Sequence, residues 1–310
     1  MVRHALARSC DQPGHGPTLA RVTVLDIQPL DATFGAIVRG LSLRSLEHRD
    51  WAAVHEAWIE YGLLIFPGQF LTRDEQDAFA LRFGSLEFKA AAISNMDKNG
   101  KVHSDATDDI VKALRGNEGW HHDSTYMPIQ AKGAVFSADI VPASGSATGF
   151  ADMRAAYEAL DDDLRARVET LSAHHSQFYS QGRVGLLPTN KKPDGTYAQY
   201  GYHDLEPSLR PLVKIHPDTQ RPNLLIGRHA YNIVGMDPTE SERLLDSLAE
   251  FACQHHRTYH HHWTVGDAVL WDNRRLMHRA TPFDLTEPRL MWHTRIAGEP
   301  QTESALNHRG

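Results

Sequence analysis

What most restricts the fold of this chain is how its apolar residues are dealt out. They come in short β-branched or aromatic runs closed by Gly or Pro, with amphipathic helical stretches set between some of them. RVTVLDIQPL, FGAIVRGLSL, LLIFPG, KGAVFSADIVPA, PLVKIHP, NLLIGRH, YHHHWTVGDAVLWDN and RLMWHTRIAG all read as strands. No Gly-rich phosphate loop follows any of them, which speaks against a parallel sheet of βαβ units. The expectation is an α+β, mainly β fold, a sandwich or barrel core with helices packed outside.

The helical stretches carry their own punctuation. SLEHRDWAAVHEAWIEYG sets Leu46, Trp51, Val54 and Trp58 near helical spacing and stops at Gly62, a candidate left-handed cap. Thr72 and Glu75 form a capping box ahead of QDAFALRFG. FADMRAAYEAL and DDDLRARVETL read as helices, and Asp237 caps another with Pro238 at its first position. Residues 85–118 turn polar; within them NMDKNGKVHSDATDD, residues 95–109, reads as a long loop and a candidate lid. QGRVGLLPTNKKPDGTYAQYGYHD is a Gly- and Pro-rich insertion. No repeat or composition shift marks a boundary, so one domain over 21–300 is expected between tails at 1–20 and 301–310.

With 32 basic against 39 acidic residues the formal charge is −7, which leaves no electrostatic footprint for nucleic acid or a membrane surface. The expected partner is a small molecule. Cys10 and Cys253 are too few for a disulfide framework, and the first residues lack the apolar segment of a secretory signal. A cytoplasmic, soluble protein is expected, with no run near the roughly 20 apolar residues that span a bilayer.

Twenty histidines are many for 310 residues. Imidazole is a common metal ligand, and two imidazoles with one carboxylate on one face hold Fe(II) while leaving positions open. The pattern H-x-D occurs at His48/Asp50, His103/Asp105, His121/Asp123 and His216/Asp218. The first opens a helix, where that spacing points the side chains apart. The second lies in the polar loop without a rigid scaffold, and the last sits in a tight turn where Asp218 is expected to bond backbone. His121 and Asp123, in GNEGWHHDSTYMP, have half-buried strand-like surroundings, with His122 pointing to the other face. A third ligand must come from a distant strand. His278, in AVLWDNRRLMHRATPFD, is the candidate; His255, His256, His260, His261 and His262 form a denser cluster but without a carboxylate at ligand spacing.

WHHDSTY, GSATGFADMRAAYEAL, GDAVLWDNRRLMHRATPFD and PRLMWHTRIAG together resemble the taurine dioxygenase family of Fe(II)- and 2-oxoglutarate-dependent oxygenases, over nearly the whole chain. Within it, HDSTYMP, GAVFSA, FADMRAAY, RPLVKIHP and LLIGRHA are similar to the aryloxyalkanoate dioxygenases, especially those acting on S-enantiomers of phenoxypropionates. The resemblance implies a double-stranded β-helix (jelly-roll, cupin-like) core with flanking helices. It makes His121, Asp123 and His278 the iron ligands, and places Thr148 and Arg289 beside the far carboxylate of 2-oxoglutarate. Asn117 falls near cosubstrate and substrate. Where taurine dioxygenase has an arginine for the sulfonate this chain has His293, so His293 or Arg295 is expected to meet a substrate carboxylate instead. The implied chemistry consumes O2 and 2-oxoglutarate, releases succinate and CO2, and cleaves an aryl ether to a phenol and pyruvate. The alternatives are the same chemistry on an alkylsulfonate or a metabolite acid, and a non-catalytic metal-binding barrel that senses a ligand. A homo-oligomer is expected.

Overall fold

A computed structural model describes residues 25–195, 197 and 199–308; the expected N-terminal tail at 1–20 lies outside them. Seven strands make the main sheet, in the order Asp26–Pro29, Ala36–Arg39, Leu63–Phe66, Ala268–Asp272, Gly133–Ile140, Leu290–Ile296, Leu86–Ser94. All neighbours are antiparallel except Ala36–Arg39 with Leu63–Phe66. A three-stranded sheet, Thr258–His261, Thr148–Asp152 and Leu276–Ala280, faces it. A second three-stranded sheet (Ala230–Ile233, Ser172–His175, Ser208–Pro211) and a two-stranded one (Pro222–Leu224, Val213–Ile215) extend this side.

Side-chain alternation explains why the central strands read as unbroken apolar runs. Leu64, Phe66, Leu270 and Val135 point to the helices His48–Tyr61 and Arg73–Ala80, where Trp58 and Phe79 cover them. Leu63, Ile65, Val269, Trp271 and Phe136 point the other way, onto Phe150 and Leu276 of the facing sheet. A strand buried on both faces cannot show polar alternation. Behind the facing sheet, Ala151 and Met277 turn away from the main sheet and pack on Leu244, Leu245 and Leu248 of helix Pro238–Ala252. The order from front to back is thus helices, main sheet, small sheets, helices.

The punctuation behaves as expected. Gly62 ends its helix at φ 72° with its N–H donating to the Trp58 carbonyl at 2.8 Å. Thr72 and Glu75 exchange both capping-box bonds, and Asp237 accepts from Thr239 and Glu240.

Two expectations need correction, and the polar stretch 85–118 gains structure around its loop. It holds the nine-residue edge strand Leu86–Ser94 before residues 95–109 and the helix Asp109–Gly116 after them. The strand's LEFKAAAIS is rich in alanine and has weak strand propensity, so its pairing with Leu290–Ile296 decides its state. In FADMRAAYEAL the first residues, through Asp152, finish a strand, and the helix begins at Met153. Residues 301–308, expected as tail, are docked: Glu303 is fully buried and pairs with Lys214, and Ser304 bridges Ile129. At the start of residues 95–109, fully buried Asn95 donates to the Leu285 and Glu287 carbonyls and accepts from the Arg289 N–H. Among the described residues no helix is long and apolar enough to cross a membrane.

Candidate active site

His121 and His278 face one another across an isolated antiparallel bridge, with N–H to carbonyl distances of 3.0 and 2.8 Å. That backbone pairing, rather than a regular strand through His121 and Asp123, brings the two imidazoles together at 4.2 Å between ring centroids. After His121 the chain turns sharply, and Ser124 sits at φ 55°, a left-handed conformation uncommon outside glycine. His122 points away, its Nδ1–H donating to the Asn273 carbonyl at 2.8 Å.

Fully buried Asn273 sets the turn. Its Oδ1 accepts from the Asp123 N–H at 2.7 Å, and its Nδ2 donates to the carbonyls of Asp123 and Ala131 at 2.9 and 2.8 Å. Nothing in the sequence beyond a bend at DN pointed to it.

Ligand atoms of His121, Asp123 and His278 lie within 4.8 Å of one another, the one such group among the described residues. The Nε2 atoms of His121 and His278 stand 3.9 and 3.8 Å from the Asp123 carboxylate. His121 donates Nδ1–H to the Gly119 carbonyl at 2.8 Å, which leaves the Nε2 lone pair for a metal. His278 is held by packing on Trp271, 4.8 Å between centroids. Burial first, and then His278 for His121 and His293 for His278, keep both histidines well below the usual histidine pKa. Burial would raise the Asp123 carboxyl, but Arg295 and the imidazoles outweigh it and hold it low. Asp123 Oδ2 is buried without a hydrogen-bond partner. An anionic oxygen left bare beside two neutral imidazoles, with no thiolate, fits a divalent non-heme iron-type ion.

The three residues open into a cavity of about 630 Å³. Thr148, Arg289, Asn117, His293 and Arg295 all line it. Thr148 Oγ1 accepts from the Trp263 indole at 2.9 Å. Arg289 is 3% exposed, and burial alone lowers its pKa to about 10. Among the described residues its Nε has no partner, and the guanidinium faces Phe283 at 5.7 Å. A buried guanidinium facing a cavity without an acid beside it calls for an anionic ligand. Asn117 caps helix Asp109–Gly116, and its carbonyl accepts from the Ala280 N–H at 2.8 Å.

His293 and Arg295 share a face of their strand, as alternation predicts, but Arg295 is already engaged. It donates to Asp123 Oδ1 at 2.8 Å and to Ser124 Oγ at 3.0 Å, so its guanidinium is bonded to a carboxylate of the chain itself. His293 lies stacked on Trp271 with Nε2 3.5 Å from Asp123 Oδ2, and burial lowers its pKa to about 4.

The other H-x-D pairs are structural. His103 bonds Asp108 at 2.6 Å. His216 bonds Asp272 at 2.9 Å and accepts from the N–H groups of Asp218 and Thr219; the Asp218 carboxylate reaches Arg274 at 2.8 Å rather than backbone. The 255–262 histidines do not converge, and His261 faces Asp267 at 3.3 Å. The cavity wall includes residues of the Leu86–Ser94 strand, of the Asp109–Gly116 helix, between 177 and 202 and between 279 and 289, and none of 95–108. Glu87, Tyr126 and Tyr200 beside the site were also missed; Glu87 lies in a strand of the stretch read only as polar.

Residues 26–295 match the family described as taurine catabolism dioxygenase TauD, TfdA family. The chain is 61% identical over 285 residues to a (S)-phenoxypropionate/alpha-ketoglutarate-dioxygenase of Sphingobium herbicidovorans, covering 91% of this chain and 98% of that protein. It is 52% identical over 290 residues to the enzyme of the same name from Delftia acidovorans, with coverages of 91% and 98%. The crystal structure of AAD-2 in complex with Mn(II) and N-oxalylglycine superposes with a TM-score of 0.82 at 37% identity, covering 92% of this chain and 100% of that one. The chain therefore belongs to the TauD, TfdA family of dioxygenases.

Proposed function

We propose that the protein is an Fe(II)- and 2-oxoglutarate-dependent dioxygenase of aryloxyalkanoates, of the (S)-2-phenoxypropionate type. His121, Asp123 and His278 would hold the iron. The observation that carries the reading is Arg289: buried, facing the same cavity as the metal-ligand group, and lacking an acid of its own. Its planar fork suits the far carboxylate of 2-oxoglutarate, with the Thr148 hydroxyl beside it. The sheet pair around this cavity is read as the double-stranded β-helix of the family.

When bound, iron and 2-oxoglutarate supply the oxidising chemistry, releasing succinate and CO2 and hydroxylating one substrate C–H bond. The chain's own residues do the placing. Arg295 fixes Asp123, Asn273 fixes the turn that carries it, and Phe88, Ala91, Ile93, Leu114 and Phe283 offer the cavity an apolar wall suited to an aryl ring. Hydroxylation beside the ether oxygen of an aryloxypropionate gives a hemiketal that collapses to a phenol and pyruvate. His293, in place of the family's sulfonate-binding arginine, weighs against taurine, and the likeness to the two phenoxypropionate enzymes supports the aryloxy acid.

The test is succinate release with Fe(II), 2-oxoglutarate and ascorbate against both enantiomers of an aryloxypropionate, an aryloxyacetate and an alkylsulfonate. Stoichiometric phenol and succinate from the S-enantiomer are expected. Turnover of the alkylsulfonate alone would overturn the substrate, and absence of succinate throughout would overturn the chemistry.

A further inference from the structure

Tyr200 lies far from Asp123 in the chain but is joined to it through a short run of polar contacts. Its ring lines the cavity and is 42% exposed, within reach of an occupant. Its hydroxyl donates to the Glu87 carboxylate and lies 3.3 Å from Ser124 Oγ. Glu87 accepts the Ser124 hydroxyl at 2.9 and 3.0 Å and stands 3.9 Å from Arg295 Nε. Arg295 donates to Ser124 Oγ at 3.0 Å and to Asp123 Oδ1 at 2.8 Å, its guanidinium set over the rings of Phe88 and Tyr200 at 4.7 and 5.4 Å.

We propose that Tyr200, acting through Glu87 and Arg295, is a positioning residue that couples occupation of the cavity to the orientation of the metal carboxylate Asp123. The inference rests on the reading above that iron binds Asp123. Three features of the geometry carry it. First, Arg295 holds Asp123 Oδ1, the oxygen 3.9 Å from His121 Nε2, while Oδ2, without a hydrogen-bond partner among the described residues, lies 3.8 and 3.5 Å from His278 and His293 Nε2, so the guanidinium fixes how the carboxylate is turned between them. Second, Ser124 keeps its left-handed backbone without being glycine, and the bonds of its hydroxyl to Glu87 and Arg295 hold that conformation beside a ligand. Third, residues 199–203 press on the same turn from outside. Gly201, at φ 89°, leaves no room for a Cβ, which would sit 2.5 Å from the Tyr126 ring, and His203 donates Nε2–H to the Tyr126 carbonyl at 2.9 Å. A molecule packed on the Tyr200 ring therefore loads a contact that ends at the metal.

Tyr200→Phe keeps the ring and removes the hydroxyl; Glu87→Gln keeps an acceptor and removes the charge facing Arg295. Two readouts are taken for each variant and the unaltered protein: the visible charge-transfer absorption of the anaerobic Fe(II)·2-oxoglutarate complex and its shift on adding (S)-2-phenoxypropionate, and the ratio of succinate to phenol formed under oxygen. In both variants the band is expected to persist, its substrate-induced shift to shrink, and the excess of succinate over phenol to rise about tenfold, the lower end of what losing a ligand's supporting contact costs. A Tyr200→Phe protein that shifts and couples like the unaltered one overturns the inference, because the hydroxyl then only packs. Loss of the band in Tyr200→Phe also overturns it, because the hydroxyl is then needed to assemble the site, not to couple it. If the unaltered protein gives no band, the iron reading itself falls and this inference with it.

Discussion

Two buried asparagines with the same number of bonds offer a test of how the site is held. Asn273→Ala removes three hydrogen bonds, one to the Asp123 N–H and two to the carbonyls of Asp123 and Ala131. The residue is fully buried, so water cannot replace them without opening the core. Each stranded group costs about 1–3 kcal/mol, and for the three together about 3–9 kcal/mol is expected, a large part of a typical stability of roughly 5–15 kcal/mol. Because two of the bonds end on a metal ligand's own backbone, Mn(II) affinity should fall about 10- to 100-fold. Asn95→Ala also removes three bonds from a fully buried side chain, but these end on Leu285, Glu287 and the Arg289 N–H. Its stability loss should be similar, with Mn(II) affinity kept and 2-oxoglutarate binding weakened. Urea unfolding of the metal-free proteins and Mn(II) titration give both numbers. The reasoning is refuted if Asn273→Ala loses under about 1 kcal/mol, or if the two variants weaken Mn(II) equally.

Other perturbations are expected to be equally selective. Arg289→Lys keeps charge but loses the two-pronged grip, so the KM for 2-oxoglutarate should rise at least about tenfold with Mn(II) affinity unchanged; an unchanged KM would remove Arg289 from the cosubstrate site. Gly201→Ala combines a strained φ with a contact to Tyr126, and urea unfolding should show a loss of about 1–3 kcal/mol. Acid sensitivity should trace in part to His175, fully buried with neither ring nitrogen partnered and held well below the usual histidine pKa by burial and then Arg210. Below pH ~6.5 the unfolded chain takes up a proton there that the folded one refuses, so stability falls with pH at up to ~1.4 kcal/mol per unit from this group until its folded pKa is reached. Replacing His175 by leucine should flatten the unfolding free energy between pH 6.5 and 5.5 by about that slope, and an unchanged slope would refute the assignment.

The core strands were legible because they are buried on both faces, and an unbroken run such as AVLWD has few other ways to hide its side chains. Helix ends were legible where one residue does local work, as Thr72, Gly62 and Asp237 do. The edge strand Leu86–Ser94 was not, because its state is set by a partner strand about two hundred positions away in sequence. The docked end at 300–308 escaped for the same reason: Glu303 looks like a solvated acid until Lys214 and Arg210 are placed beside it.

The site divides along the same line. His121, Asp123 and His278, whose ligand atoms the structure brings together, stood out because two imidazoles and a carboxylate are a recognisable set, while Thr148 and Arg289, which line the same cavity, came from the family resemblance. For Arg295 the sequence suggested a substrate carboxylate, and the structure bonds it to Asp123 and Ser124. An arginine on the right strand face is equally suited to a substrate carboxylate and to a ligand carboxylate, and only the 2.8 Å contact with Asp123 separates the two. Asn273, Glu87 and Tyr200 were not named at all, since each acts on another residue rather than on a ligand and any of several polar side chains could do so from elsewhere. Such supporting residues leave little mark on a single sequence. Yet the turn that carries Asp123 and the strained Ser124 are held by Asn273 and Glu87, so what such residues do is visible only once the chain is folded.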